Sequence, residues 1–113
     1  MHELSIALGI VKIAEEECLK ASANAVDVIE LEIGELAGIE KLSLEFAWPV
    51  AVKDTRLDKA ETAIDWVAGK GKCLECNTEY AMKALYDCCP NCQSPFKDII
   101  RGKELRVKSL VVS

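Results

Sequence analysis

Four cysteines in two closely spaced pairs constrain the fold of this chain more than any other feature. The pairs read CLEC and CPNC, and twelve residues separate them, so that the full pattern is C-x2-C-x12-C-x2-C. Each C-x2-C turn directs two sulfurs toward one point, and four thiolates can then surround Zn²⁺ as a tetrahedron at about 2.3 Å. The sequence therefore predicts a zinc ribbon whose ligands are Cys73, Cys76, Cys89 and Cys92.

A four-cysteine site predicts a structural metal, because four protein ligands leave no open position for a reacting water. Fe²⁺ is the alternative occupant, since the same ligands serve it. Cys88 could replace Cys89 in the second pair, although Pro90 favours Cys89 by completing a C-P-x-C turn. Cys18 lies on an apolar stretch and is expected to be buried as a small hydrophobe.

Charge and hydropathy restrict the partners and the location. Residues 1–70 carry a net charge of −7 and residues 71–113 a net charge of +2, within a total of −5. An acidic body repels phosphate backbones, so we expect no nucleic-acid partner. No apolar run approaches the roughly 18 residues of a membrane helix, and the acidic start does not resemble a signal peptide, which predicts a cytoplasmic protein that does not bind membranes.

Hydrophobic periodicity predicts an α+β protein. We expect helices over residues 3–23 and 39–55 and strands over residues 26–36, 61–69 and 103–113. The first helix has an apolar stripe of Leu4, Leu8, Val11, Ala14 and Cys18. Pro49 is expected to kink the second helix or to end it near Trp48, because proline cannot donate the helical hydrogen bond.

The last strand is too apolar for a loose tail, so it is expected to return to the first sheet. The fold is then two helices on a small three-stranded sheet, with the cysteine module as an insertion. We predict one domain formed by residues 1–69 plus 103–113 and an inserted zinc-ribbon domain of residues 70–102. The glycine-flanked connections are compatible with a monomer or a dimer.

The amino terminus reads Met1-His2-Glu3, and His2 is the only histidine of the chain. The Met1 amine, the His2 backbone nitrogen and the His2 Nδ1 can form two adjacent chelate rings, which suit Ni²⁺ or Cu²⁺ in a square plane. The fourth ligand could be the Glu3 carboxylate, the Glu3 backbone nitrogen or another part of the molecule. The alternative is a solvated histidine in front of a helix.

Several of these stretches occur in a characteristic order. An initial M-H-E, an amphipathic helix, "EIGELAGIE", "LSLEFAW" and two C-x2-C pairs make the chain similar to the HypA/HybF family of hydrogenase nickel-insertion proteins. The resemblance implies a nickel-binding domain of two helices and a three-stranded sheet, with a zinc domain inserted before the last strand. It also implies Ni(II) at Met1, His2 and Glu3 and structural Zn(II) at Cys73, Cys76, Cys89 and Cys92.

The resemblance further implies a metallochaperone that is not an enzyme and that matures [NiFe]-hydrogenase, in some organisms also urease. Its implied partners are the nickel-handling GTPase HypB and the hydrogenase large subunit precursor. The chain departs from the family where Asn77 and Gln93 replace the glycine that often follows each pair. With no second histidine, Glu40 is a candidate further carboxylate for nickel. The alternative function is a zinc-ribbon module that binds nucleic acid or protein without nickel transport.

Overall fold

The computed structural model describes residues 2–113, and these residues form a mixed α+β fold, as predicted. The elements in chain order are α1 (Glu3–Lys20), β1 (Val26–Gly34), α2 (Lys41–Val52), β2 (Glu61–Val67), β3 (Gly69–Cys73), β4 (Glu79–Met82), β5 (Lys97–Arg101) and β6 (Leu105–Val112). They build two three-stranded sheets, with strand orders β2-β1-β6 and β4-β3-β5. The last strand therefore pairs with the first, which confirms the expected return of the chain.

The chain forms two compact units. The first unit contains the chain up to Leu31, Ile39–Asp65 and Arg106–Ser113, and the second contains Glu32–Gly38 and Trp66–Leu105. Both helices belong to the first unit and the complete β4-β3-β5 sheet belongs to the second. Within residues 2–113, no helix combines the length and the apolar composition that crossing a membrane requires.

Helix α1 buries a narrower face than its sequence predicts. Its buried residues are Ala7, Ile10, Val11, Ala14 and Cys18. Leu4 and Leu8 are 44% and 50% exposed, so this end of the predicted stripe is wrong. The small residue Ala7 is fully buried, whereas the side chains of Leu4 and Leu8 face solvent. Cys18 is fully buried, as expected.

Helix α1 ends three residues before its predicted limit. The Ala23 N–H donates to the Cys18 carbonyl and the Ser22 N–H donates to the Leu19 carbonyl, with Ser22 at φ +55°. These two bonds are a Schellman ending, in which the left-handed residue is usually glycine. Because serine rather than glycine occupies this position, the sequence does not indicate where the helix ends.

Helix α2 continues through Pro49 to Val52, so the prediction that it ends near Trp48 is wrong. The carbonyl of Glu45 loses its donor, but Glu45 is exposed and water can satisfy that oxygen. The last turn is held by buried Ala51 and Val52, and the Trp48 Nε1–H donates to Thr62 Oγ1 at 3.0 Å. Tertiary contacts thus outweigh the local preference of proline.

The second unit is built on β3, which pairs antiparallel with both β4 and β5. Gly69 and Gly71 lie inside β3. Gly71 faces the Met82 sulfur, which lies 2.5 Å from where a Cβ would stand. A Cβ at Gly34 would overlap the Gly102 carbonyl oxygen. These close approaches explain why the strands of this unit contain residues that usually weaken strands.

Candidate metal centre

The sulfur atoms of Cys73, Cys76, Cys89 and Cys92 come together in the second unit. All four lie within 4.8 Å of one another. The Sγ atoms of Cys73 and Cys92 are 3.5 Å apart, and those of Cys76 and Cys89 are 3.6 Å apart. A tetrahedral zinc site with bonds of 2.3 Å requires sulfurs about 3.8 Å apart. The cluster therefore fits a tetrahedral Zn²⁺, and the Sγ positions need little adjustment.

The two cysteine pairs are held by matching backbone turns. In the first turn the Asn77 N–H donates to the Cys73 carbonyl at 3.0 Å, and the Cys73 N–H donates to the Thr78 carbonyl at 2.9 Å. In the second turn the Gln93 N–H donates to the Cys89 carbonyl at 2.8 Å. The Cys89 N–H in turn donates to the Ser94 carbonyl at 3.0 Å. We call these turns the first knuckle (Cys73–Thr78) and the second knuckle (Cys89–Ser94).

Each knuckle needs one left-handed residue. Asn77 has φ +63° and Gln93 has φ +66°. Glycine adopts this conformation freely and asparagine adopts it more readily than most residues, whereas glutamine has no such advantage. The two departures from the family pattern therefore preserve the turn geometry, at a conformational cost that is greater at Gln93.

The environment of Cys76 favours its thiolate. Hydrogen bonds from the Thr78 hydroxyl, the Thr78 backbone N–H and the Asn91 amide lower the pKa of Cys76 to about 5. The Thr78 Oγ1 lies 3.2 Å and the Asn91 Nδ2 lies 3.6 Å from the Cys76 sulfur. Donors directed at a sulfur stabilise its negative charge, which is the form that binds a metal.

Cys92 shows the opposite shift. The Ser94 backbone N–H lowers the pKa of Cys92, but the hydrogen bond with the Cys73 thiol, desolvation and the thiols of Cys76 and Cys89 outweigh it and raise the pKa to about 12. Four thiols this close cannot all ionise without a cation among them. The cluster is thus an arrangement that a divalent cation would stabilise.

Tyr80 lies in the same buried cluster as Cys73 and Cys89. Its hydroxyl is buried and has no hydrogen-bond partner among residues 2–113. Burial, followed by the charges of Cys89 and Cys73, raises the pKa of Tyr80, so the hydroxyl keeps its proton.

Cys88 is not part of the cluster. Its side chain is exposed, and its Sγ lies 3.8 Å from the Tyr86 carbonyl oxygen. The structure therefore brings Cys89, rather than Cys88, together with the other three cysteines. Thr78 and Asn91 are absent from the sequence-based prediction, although Thr78 and Ser94 occupy the same place after each C-x2-C pair.

Of the amino-terminal residues that the sequence predicts as nickel ligands, Met1 lies outside the described residues. His2 is exposed and is the N-cap of α1, with its carbonyl accepting the Ile6 N–H at 3.2 Å. Its own backbone N–H lies outside the hydrogen-bond ladder of the helix. The imidazole and the amide of His2 are thus on a surface that an ion in solution can reach.

Glu3 and Glu40 meet at the start of α2. The Glu40 N–H donates to Glu3 Oε2 at 3.2 Å, and this hydrogen bond is the main reason that the pKa of Glu3 is lowered. The Glu40 carboxylate accepts from the Leu42 N–H and from Ser43 Oγ, both at 3.1 Å, and so caps α2. The Glu40 carboxylate, expected as a further metal ligand, is therefore engaged in capping.

An open depression of about 630 Å³ begins at His2. It is lined by His2, Glu3, Leu4, Ser5, Ser43, Phe46, Ala47 and Val50. Phe46 is 81% and Val50 is 65% exposed, which is unusual for large apolar side chains on neighbouring turns of one helix. The depression joins polar groups of the amino terminus to an apolar helix face.

Fold and site together define a small α+β protein with a cluster of four cysteines that could hold a metal ion. Residues 1–112 match the family described as "HypA: Hydrogenase/urease nickel incorporation, metallochaperone, hypA". The chain belongs to the HypA family, which confirms the resemblance seen in its sequence.

Individual relatives agree with this membership. Hydrogenase maturation factor HypA of Parabacteroides distasonis is 46% identical over 112 residues, which cover 99% of this chain and 97% of that protein. Its counterpart in Geotalea daltonii is 41% identical, with 99% of each chain covered.

Two solved structures have the same fold. The solution structure of the Ni metallochaperone HypA from Helicobacter pylori has a TM-score of 0.70 at 24% identity, covering 99% of this chain and 97% of that one. A second structure, described as the solution structure of HypA protein, has a TM-score of 0.69 at 25% identity, covering 100% and 97%.

Proposed function

We propose that this protein is a nickel metallochaperone for [NiFe]-hydrogenase maturation. In this proposal Ni(II) is the cargo, bound by Met1, His2 and Glu3, and Zn(II) is structural, bound by Cys73, Cys76, Cys89 and Cys92. The observation that carries it is a four-sulfur cluster with zinc-like spacing in a chain that matches the HypA family over residues 1–112. The same nickel delivery would serve urease in a host that makes this enzyme.

The zinc site would maintain the shape of the second unit. Among residues 2–113, its buried cluster consists of Leu36, Cys73, Tyr80, Met82 and Cys89, with Cys76 and Ile99 packed against it. So small an apolar cluster stabilises a fold weakly without a crosslink or a metal. Since two of its members would be zinc ligands, metal binding and folding of this unit would be coupled.

The nickel site would be suited to release as well as to binding. His2 is exposed, and the Met1 amine, the His2 amide nitrogen and His2 Nδ1 would form a chelate at a chain end. The Glu40 N–H donates to Glu3 Oε2, and in this proposal the Glu3 carboxylate would contribute its other oxygen to the metal. An exposed site with few protein ligands allows a partner to replace those ligands one at a time.

HypB is the partner that we place on the depression next to His2. We define the apolar surface as Leu4, Phe46 and Val50, which line this depression together with His2 and Glu3. Exposed apolar side chains of this size mark interaction sites. A protein bound to this surface would have its own nickel ligands within reach of His2. The hydrogenase large subunit precursor would receive the metal from the same end.

The proposal also includes the two domains, the location of the protein and the absence of catalysis and of nucleic-acid binding. Residues 1–69 plus 103–113 would form the nickel-binding domain and residues 70–102 the zinc domain. The protein would work in the cytoplasm, where clustered thiols remain reduced. It would transport metal without catalysing a reaction and would have no nucleic-acid partner.

The test is nickel delivery in a cell that makes [NiFe]-hydrogenase but lacks its own HypA. The natural chain should restore nickel in the hydrogenase large subunit, and His2→Ala should not, because the chelate loses its imidazole. Ser5→Ala, a change in the same depression that removes no proposed ligand, serves as the matched control. Restoration by His2→Ala equal to that by the natural chain would contradict the nickel site.

The alternative zinc-ribbon module makes a different prediction in the same comparison. Neither protein would then restore nickel, and the purified chain would bind DNA in a gel shift that weakens with salt.

A further inference from the structure

The two knuckles have the same backbone but differ in the side chains around their sulfurs. Thr78 and Ser94 each follow a C-x2-C pair by two residues, and Glu75 and Asn91 each precede the second cysteine of a pair. In the first knuckle the Thr78 hydroxyl contacts the Cys76 sulfur at 3.2 Å. In the second knuckle the Ser94 hydroxyl instead accepts the Phe96 N–H at 3.2 Å. The approximate twofold symmetry of the knuckles is therefore broken.

Asn91 connects the two knuckles. Its Nδ2 lies 3.6 Å from the Cys76 sulfur and 3.4 Å from Thr78 Oγ1, although Asn91 itself belongs to the second knuckle. A carboxamide nitrogen has two hydrogens and can donate one to each acceptor. Its counterpart Glu75 has a carboxylate, which has no hydrogen to donate when ionised. The side chain of Asn91 therefore donates from the second knuckle to the first, and an ionised Glu75 has no hydrogen for the reverse bond.

The three groups form a directed chain of hydrogen bonds. When Asn91 donates to Thr78 Oγ1, the Thr78 hydroxyl hydrogen is free to rotate toward the Cys76 sulfur. Each donor polarises the next one, which strengthens the final bond to a charged sulfur. Hydrogen bonds to a ligand sulfur reduce its charge and orient it, and losing such a partner typically weakens metal affinity by about 10–100-fold.

Cys92 is in a different environment. Its side chain is exposed, and its sulfur contacts the Ser94 backbone N–H and the other three thiols. A competing chelator or a proton reaches this sulfur directly from solvent. If a bound metal released Cys92, the exposed sulfur would take up a proton from solvent and a donor atom of the chelator would occupy the vacated position.

We infer that Asn91 and Thr78 are positioning residues that hold Cys76 more firmly on the metal than its counterpart Cys92, and that Cys92 is the ligand that dissociates first. The inference rests on the proposed zinc site and adds an order in which its ligands are lost. It assigns to Asn91 a role that a solvent-exposed residue in a loop would not otherwise have.

The experiment uses the full chain loaded with zinc, in a Cys88→Ser background that removes the exposed free thiol. EDTA withdraws the metal while N-ethylmaleimide labels each released cysteine, and peptide mass spectrometry gives the order of labelling. We expect Cys92 to be labelled first and well before Cys76, its counterpart in the first knuckle, while the buried Cys73 and Cys89 are protected in any case. Asn91→Leu and Thr78→Val should release zinc about tenfold faster and should bring Cys76 labelling forward.

Conservative and matched variants separate this role from a general loosening of the site. Thr78→Ser keeps the hydroxyl and should retain the parent's rate and labelling order. Glu75→Leu makes a similar change at the equivalent place of the first knuckle and should also behave like the parent. Asn91 is exposed, so its replacement should leave the fold intact, and the circular dichroism spectrum checks this.

The outcomes distinguish the inference from the proposed function. One outcome would overturn the inference alone. In it the parent protein binds one zinc ion per chain, and the Asn91→Leu and Thr78→Val variants keep the parent's rate of zinc release and its order of labelling. A parent that retains no zinc at these cysteines would overturn both the inference and the zinc part of the proposed function.

Discussion

Gln93 is the residue with the most strained backbone requirement near the metal centre. It adopts φ +66° in the turn that brings Cys89 and Cys92 together. The equivalent residue of the first knuckle is Asn77, at φ +63°. Since asparagine tolerates the left-handed region better than glutamine, the two knuckles differ in intrinsic stability.

Gln93→Gly should therefore stabilise the protein. Glycine removes the left-handed strain, and the expected gain in the free energy of unfolding is about 1 kcal/mol, reduced by the greater flexibility of glycine in the unfolded chain. Asn77→Gly should give a smaller change. Urea unfolding of the zinc-loaded proteins measures both. A loss of stability in Gln93→Gly larger than that in Asn77→Gly would contradict the strain at this position.

Cys76 should be ionised at neutral pH in metal-free protein under conditions that keep the knuckles folded, since its pKa is lowered to about 5 from an ordinary value of 9.0. Because the pKa of Cys76 is lower in the folded protein than in the unfolded one, its ionisation stabilises the fold. This contribution is complete above pH 9, the unfolded value, and is lost as the pH falls from 9 toward 5. The ultraviolet absorbance of thiolate, followed during a pH titration, should show this ionisation on the acid side of neutrality.

Thr78→Val should move the Cys76 titration to higher pH, because the hydroxyl is the largest cause of the lowered pKa. Cys18→Ala, a change at a buried cysteine of α1, is the control and should leave the titration unchanged. If no thiolate forms below neutral pH in the unsubstituted protein, the hydrogen bonds to Cys76 are weaker than the structure indicates.

Single residues of the site differ in how far the sequence could predict them. The four cysteines could be found because metal ligands in a knuckle must have fixed spacing, and the structure does bring Cys73, Cys76, Cys89 and Cys92 together. Asn91 could not be found, because its contact with Cys76 crosses between two knuckles and depends on how they pack. Short-range spacing is visible in a sequence, whereas contacts between segments are not.

At the scale of helices and strands, α2 shows the limit of reading periodicity. Apolar residues surround this helix, including Leu42, Leu44, Phe46 and Val50. The spacing of Leu42, Phe46 and Val50 correctly predicts a helix, but the structure buries Leu44 and exposes Phe46. When both faces are apolar, periodicity predicts the helix without identifying its buried side. The strands β1, β2 and β6 were predicted correctly because their sequences alternate between apolar and polar residues or end at turn residues.

The orientation of α2 can be tested with two truncations. Leu44→Ala should lower the free energy of unfolding by about 2–5 kcal/mol, because Leu44 is 1% exposed and its loss leaves a cavity. Phe46→Ala should change it by no more than about 0.5 kcal/mol, because Phe46 is 81% exposed. Denaturant unfolding of both variants gives the comparison. Equal losses would show that α2 is rotated relative to the structure described here.

The apolar surface can be tested separately from stability. Phe46→Glu should weaken HypB binding because it places a charge within the apolar surface, while nickel binding by the isolated protein should not change. Lys53→Glu, an equally exposed change just beyond α2, is the control. Calorimetry with purified HypB measures the interaction. Equal HypB affinity in Phe46→Glu and the unsubstituted protein would exclude this surface as the docking site.

At the scale of the whole molecule, the two compact units should respond differently to metal removal. The second unit has a small buried cluster that includes Cys73 and Cys89, whereas the first unit has its own core from α1, α2 and β1. Withdrawal of zinc should therefore increase amide hydrogen exchange in β3 and β4 much more than in α1. Equal increases in both units would mean that the protein unfolds as one cooperative body.

The nickel site at the amino terminus is the part of the proposal on which the function depends most. Calorimetry with Ni²⁺ on the zinc-loaded, tag-free protein, beside the same protein with one extra residue before Met1, tests it directly. We predict tight binding to the tag-free protein and its loss in the extended one, because the amine, the His2 amide and the imidazole must form adjacent chelate rings. Equal nickel affinity in the two proteins would contradict the chelate and place the metal elsewhere.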